Sequence, residues 1–423
     1  MSEQTIPITV LSGILGAGKT TTVNHLLSTA ADRDIGVLVN DMGEVNVDAD
    51  LVAESSDISE EDEELIELSN GCICCELRGD LLEAIDRLTS EKKFDAVVVE
   101  STGVAEPLPV AQTLTLGFDG IEDMDSTDFH EETGVEPLEH CYLDTTVTVV
   151  DAHQFSDAMS SNAVLDDDGT DKHLGDLLVE QVEFCDVLVL NKCDLVDDEE
   201  LDKIESLLET LQPRAEIVRT THGKVNPDLL IDTELFDFEE ASQSAGWMKE
   251  LREPHESAEE EHGVTSFVFE SDRPFHPSRF ATFLDEFPDR VVRSKGHVWL
   301  AGRDDRAIEL HVAGQSIRIA PGVQWVASLP PEEQQRVFEK YPELKEEWEE
   351  PYGDRHTRLV LIGASIDHDE IRTDLHKCVL DDEEMNSNWS TLDDPLPEFN
   401  IPEGDENTDS DSDDESTEVG IAE

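Results

Sequence analysis

The chain has 423 residues, with 102 Asp and Glu against 29 Lys and Arg and a formal charge of −73. That length suffices for two ordinary domains burying their own cores, so the seven cysteines need not form a disulfide framework. With no Lys/Arg stripe to displace phosphate counterions and no apolar run near the ~18 residues of a bilayer span, neither nucleic acid nor a membrane is an expected partner.

Residues 381–423 hold 17 carboxylates and no Lys or Arg, which leaves −56 of the charge on the rest of the chain. Acidity spread this widely is typical of proteins working in high salt, where a Debye length of about 3 Å at 1 M screens self-repulsion. The thiols cluster, and no leader is expected ahead of the first strand pattern. A halophilic, reducing, cytoplasmic setting is therefore expected.

In chain order, apolar β-rich runs at 6–11, 36–39, 64–68, 96–99, 146–150 and 187–190 alternate with helices, notably from Lys19 and from about Arg78. Such runs between helices predict a parallel sheet covered on both faces, an α/β domain with its ligand site at the carboxyl ends of the strands. Acidic insertions at 54–64 and 119–139 read as solvated loops, with His130, His140 and Cys141 marking the second. This first domain spans 1–238, and an acidic linker holding His255 and His262 spans 239–262. A smaller α+β domain at 263–380 shows strands at 264–269, 291–300, 308–312, 316–319 and 359–362, with helices at 277–287 and 369–380. The remainder, 381–423, lacks apolar periodicity and is expected to be a disordered acidic tail.

Gly13-Ile-Leu-Gly-Ala-Gly-Lys19-Thr20 fits G-x-x-x-x-G-K-S/T between a predicted strand and a predicted helix. Backbone N–H groups around Gly13, Gly16 and Gly18 can curl about phosphate oxygens. Lys19 reaches the β and γ phosphates, and the Thr20 hydroxyl ligates Mg²⁺. Asn191-Lys192-Cys193-Asp194 follows the strand at 187–190. The Asp194 carboxylate can accept from both the N1–H and the exocyclic amine of guanine, a donor pair adenine lacks, so GTP is favoured over ATP. Asp194 as a plain helix cap is the simpler alternative. The apolar strand ending in Glu100-Ser-Thr-Gly103 has the form of a Walker B strand: Glu100 can hold Mg²⁺ through water or orient the attacking water, and Gly103 lets backbone approach the γ phosphate. Asn40-Asp41-Met-Gly-Glu44 follows the second strand, a position suited to a switch. Lys19, Glu100 and Glu44 are thus the candidate catalytic residues.

Cys72, Cys74 and Cys75 lie in a turn before a helix, whose N-terminus favours their ionised form. Three thiolates suit Zn²⁺ or a neighbouring divalent ion. A four-coordinate site needs a further ligand, for which Asp41, Glu44 and Glu76 are candidates. Small buried cysteines and a redox pair are the alternatives.

In order, G-x-L-G-A-G-K-T-T, N-x-x-G-E, G-C-x-C-C, E-x-T-G and N-K-x-D resemble the CobW-like GTPases. The likeness runs on through Lys295-Gly-His297-Val-Trp299-Leu-Ala301 and Gly353-Asp354-Arg355, and covers roughly residues 6–380. It adds Ala17 and Thr21 to the nucleotide-binding set. It also implies a GTP-hydrolysing metallochaperone that carries Zn²⁺ or Co²⁺ on the cysteine motif to a client metalloprotein. Asp41 and Met42 depart from the family's usual Glu and Phe. A metal buffer with a weak nucleotide site, or a P-loop ATPase or kinase, is the alternative function.

Overall fold

Three segments, IPITVLS, AVVVE and VLVLN, are apolar on both alternating faces, and every residue in them is buried. Water on either face would cost such strands most of their stabilisation, so each needs helices above and below. The computed structural model describes residues 5–30, 33–39, 65–67, 78–91, 94–105, 107–116, 140–161, 164–167, 170–242, 244–245, 248, 263–345, 348 and 350–399. The chain divides into two compact units, with the change between Val264 and Thr265.

The first unit runs β1 (Ile6–Ser12), α1 (Lys19–Thr29), β2 (Ile35–Val39), β3 (Leu65–Glu67), α2 (Arg78–Glu91), β4 (Ala96–Glu100), α3 (Pro107–Leu116), β5 (Cys141–Asp151) and α4 (Phe155–Met159). It continues through β6 (Val164–Asp167), β7 (Thr170–His173), α5 (Leu174–Glu183), β8 (Val187–Asn191), α6 (Asp198–Leu211), β9 (Glu216–Arg219) and α7 (Phe238–Ser242). Seven strands form one parallel sheet in the order β3-β2-β4-β1-β5-β8-β9. β1 lies in its middle, flanked by β4 and β5, so the loop leaving β1 emerges at the centre of the carboxyl edge. Leu81, Ile85 and Leu88 of α2 and Val110, Ala111 and Leu114 of α3 pack with Ile8, Val10, Val97 and Val99.

Two pieces of this unit are not in the sequence reading. The antiparallel β6–β7 hairpin is written in acid-rich sequence that hides its alternation, and β9 is a four-residue edge strand without an apolar run. Cys141, read as part of an insertion, is the buried first residue of β5. Ala241 of α7 joins the core of the first unit, past the boundary expected at 238.

The second unit runs β10 (Val264–Ser271), α8 (Pro277–Asp285), β11 (Val291–Leu300), β12 (Arg303–Ala313), β13 (Ser316–Gln324), α9 (Pro331–Lys340), β14 (Thr357–Ala364), α10 (His368–Cys378) and α11 (Asp382–Met385). Its sheet has the order β10-β14-β11-β12-β13. Phe280 and Phe283 of α8 and Ile371 and Leu375 of α10 cover one face, on Phe267, Phe269, Val298, Leu310 and Leu361. The α+β reading of this part holds.

The beginning of the acidic tail does not. Residues 381–399 are ordered on the second unit: Asp381 caps α11, and the Trp389 ring meets Trp299 and Tyr352. Arg303 pairs with Asp394 and donates to the carbonyls of Leu396 and Pro397. A few apolar residues suffice here, because Leu396 enters an existing core at 9% exposure while the surrounding carboxylates stay in water. Leu396→Ala is expected to cost about 2–3 kcal/mol, read from the urea midpoint of the full chain. A loss below about 0.5 kcal/mol would show that the segment is not part of this core.

Candidate active site

The loop after β1 needs three backbone conformations that a Cβ resists: Gly13, Gly16 and Gly18 have φ of 144°, 81° and 107°. Space forbids a side chain as well, since a Cβ on Gly13 would overlap the Val149 carbonyl and one on Gly18 would overlap the Asn191 amide. The loop is therefore built flush against β5 and β8, with α1 starting at Lys19 behind it. Lys19 is only 8% exposed and its Nζ donates to the Gly13 carbonyl at 2.9 Å. Ala17 is buried, and Thr21 is exposed on the first turn of α1.

Glu100 closes β4, directly across from Leu11 of β1. Its carboxylate, 2% exposed, accepts the Thr20 hydroxyl at 2.8 Å. Two of the predicted Mg²⁺ and hydrolysis residues, 80 positions apart, thus touch. Gly103 passes so close to the loop that a Cβ would lie 2.7 Å from the Leu15 nitrogen, which explains why that position has no side chain.

Asn191 and Lys192 join the turn at 191–194 to the loop after β1. Buried Asn191 donates from Nδ2 to the Ala17 carbonyl at 2.9 Å and accepts the Gly223 N–H at 3.0 Å. Lys192 Nζ donates to the Gly16 carbonyl at 2.7 Å. Asp194 is exposed in the 3-10 turn Cys193–Leu195. Two contributors escaped the sequence reading. The loop after β9 supplies Gly223, and Cys193 N–H donates to the Thr220 carbonyl at 3.2 Å. Asp151, at the end of β5, pairs with Lys192 at 2.7 Å. Its signal was present: Val-Val-Asp at 149–151 ends an apolar strand as Val-Val-Glu does at 98–100.

Asp41, Glu44, Cys72, Cys74, Cys75 and Glu76 lie outside the described residues. Among the described residues no group of three or more His, Cys, Asp or Glu is placed to hold a metal ion. Burial pushes the thiols of Cys185 and Cys378 up to about 12 and also raises that of Cys193, so these three are protonated near neutral pH.

The model of the CobW/HypB/UreG nucleotide-binding domain matches residues 7–219, and that of the cobalamin synthesis protein cobW C-terminal domain matches residues 264–379. The chain belongs to the CobW family. A CobW-family relative, the zinc-regulated GTPase metalloprotein activator 1 of Dictyostelium discoideum, is 37% identical over 92% of this chain and 84% of its own length. The zinc chaperone YjiA of Escherichia coli strain K12 is 28% identical over 87% of this chain and 96% of its own. A crystal structure of Zn(II)-bound YjiA GTPase from E. coli covers 89% of this chain and 100% of its own at 22% identity, with a TM-score of 0.36. Among the described residues no helix is long and apolar enough to cross a membrane.

Proposed function

We propose that the chain hydrolyses GTP and uses the cycle to carry zinc to a client metalloprotein. The observation that carries the GTP reading is the joint made by Asn191 and Lys192 on Ala17 and Gly16, which ties the base-reading turn to the phosphate loop. Gly13, Gly16, Ala17, Gly18, Thr20 and Thr21 cradle the phosphates, Asn191, Lys192 and Asp194 serve the guanine, and Gly103 keeps the γ-phosphate side open. Lys19 places a buried cation where negative charge accumulates, its ammonium exchanging the Gly13 carbonyl for phosphate oxygens.

The Thr20 hydroxyl and the Glu100 carboxylate, already in contact, are the pair suited to Mg²⁺: both are hard oxygen donors at the end of a Walker B strand. Mg²⁺ would neutralise charge on the β and γ phosphate oxygens. In this reading Glu100 also orients the attacking water, with Glu44 the second carboxylate assigned to hydrolysis.

Zinc is the cargo, held by Cys72, Cys74 and Cys75 with Asp41 or Glu44 completing the set. The zinc relatives, one of them similar over 92% of the chain, support that cargo over cobalt. A nucleotide-driven chaperone must bind its metal differently in its two nucleotide states, and the metal must alter nucleotide affinity by the same factor. Zinc affinity, measured by chelator competition, is expected to differ at least about tenfold between GDP and a non-hydrolysable GTP analogue. Equal affinities would sink the coupling.

A further inference from the structure

The Asp151 carboxylate is 1% exposed at the end of β5. Its Oδ1 accepts the N–H groups of His153 at 3.0 Å and Gln154 at 3.2 Å, and its Oδ2 lies 2.7 Å from Lys192 Nζ. The same ammonium donates to the Gly16 carbonyl at 2.7 Å, so one cation joins β5, the phosphate loop and the base-reading turn. Asp151 and Asn191 are register partners in adjacent strands, which places the carboxylate beside that turn without any loop of its own. Lys192 has φ 61°, a left-handed conformation that a non-glycine side chain keeps only when its surroundings hold it.

We propose that Asp151 is a positioning residue for GTP: by holding the Lys192 ammonium on the Gly16 carbonyl, it sets where the turn carries Asp194 relative to the phosphate loop. The proposal rests on the GTP reading above and assigns to that site a residue outside its motifs. A carbonyl alone holds a cation weakly, and a polyphosphate with several negative charges would compete for it. An adjacent buried carboxylate gives the ammonium a partner that does not move when the nucleotide leaves. The turn is then formed before GTP arrives, and binding is spared the cost of ordering it.

Asp151→Asn tests this because asparagine keeps an oxygen for the His153 and Gln154 N–H groups but removes the charge facing Lys192. The expected result is a KM for GTP raised roughly 10- to 30-fold with kcat within about threefold, because the loss falls on binding rather than on hydrolysis. Lys192→Met should raise KM as well, and the double variant should be no worse than the worse single, since both changes break one ion pair. If Asp151→Asn folds poorly, Asp151→Ser, whose hydroxyl also accepts from the turn, is measured in the same cycle. A KM within about twofold of the parent, or losses that multiply in the double variant, would overturn the assignment and leave Asp151 as a cap of the β5–α4 turn. The parent protein is run against GTP and ATP in parallel. No preference for GTP there removes the GTP reading and this proposal together, whereas a clear preference with an unaffected Asp151→Asn removes the proposal alone.

Discussion

Replacing Lys19 by alanine is expected to lower kcat/KM for GTP at least about 1000-fold, because removing one preorganised donor from a developing charge costs 100- to 1000-fold and Lys19 adds a full charge in a buried site. Its ammonium is held 2.9 Å from the Gly13 carbonyl inside a loop packed on β5 and β8. The fold should survive, since that hydrogen bond contributes only about 1 kcal/mol net. Phosphate release measured with an unchanged melting temperature reads the effect. A loss smaller than about tenfold would mean that Lys19 does not face the transferred phosphate. The same variant separates a chaperone from a buffer: cells carrying it should fail to load the client if GTP drives delivery, and should keep normal metal homeostasis if the chain only stores metal.

Asp194→Asn should lower GTP affinity by roughly 100- to 1000-fold, because one of two accepted hydrogen bonds is lost and the new amide sets its own N–H against a guanine N–H. The geometry favours a large effect. Asp194 stands exposed in the Cys193–Leu195 turn, and that turn is fixed to the phosphate loop through Asn191 and Lys192. Xanthine presents a carbonyl where guanine has its amine, so the asparagine amide can donate there, and XTP should come within about tenfold of the parent's affinity for GTP. Competition binding with GTP, XTP and ATP decides it. GTP affinity within about threefold of the parent would remove Asp194 from the guanine site and reopen the ATPase alternative, since the following helix is already capped by Asp197.

Much of the first unit could be read from residues alone because its signals are local. The strands at 6–11, 96–99 and 187–190 are runs buried on both faces, and the phosphate loop has fixed spacing because its glycines, lysine and threonine act on one phosphate chain. Asn191 was legible as a motif member but not in its task, which depends on Ala17 and Gly223, 174 and 32 positions away. Asp151 ends its strand as Glu100 does, but no glycine at fixed spacing follows it to complete a motif, and its partner Lys192 is supplied by the turn after the neighbouring strand. The 381–399 segment was misread because 17 carboxylates after 380 outweighed Trp389 and Leu396 in any composition argument, although burial of two or three side chains is what orders such a segment.

By itself, then, the sequence determined the chemistry available to this protein: a loop that can wrap phosphate, a carboxylate that can choose guanine, a strand-end acid and a cluster of thiols. Only the tertiary structure decided which of them meet. The order β4-β1-β5-β8 brings Glu100 to Thr20 and Asp151 to Lys192 because parallel strands deliver all their carboxyl ends to one edge. Backbone hydrogen bonding and the burial of both sheet faces set that order, and no spacing between residues 41 and 80 positions apart can encode it.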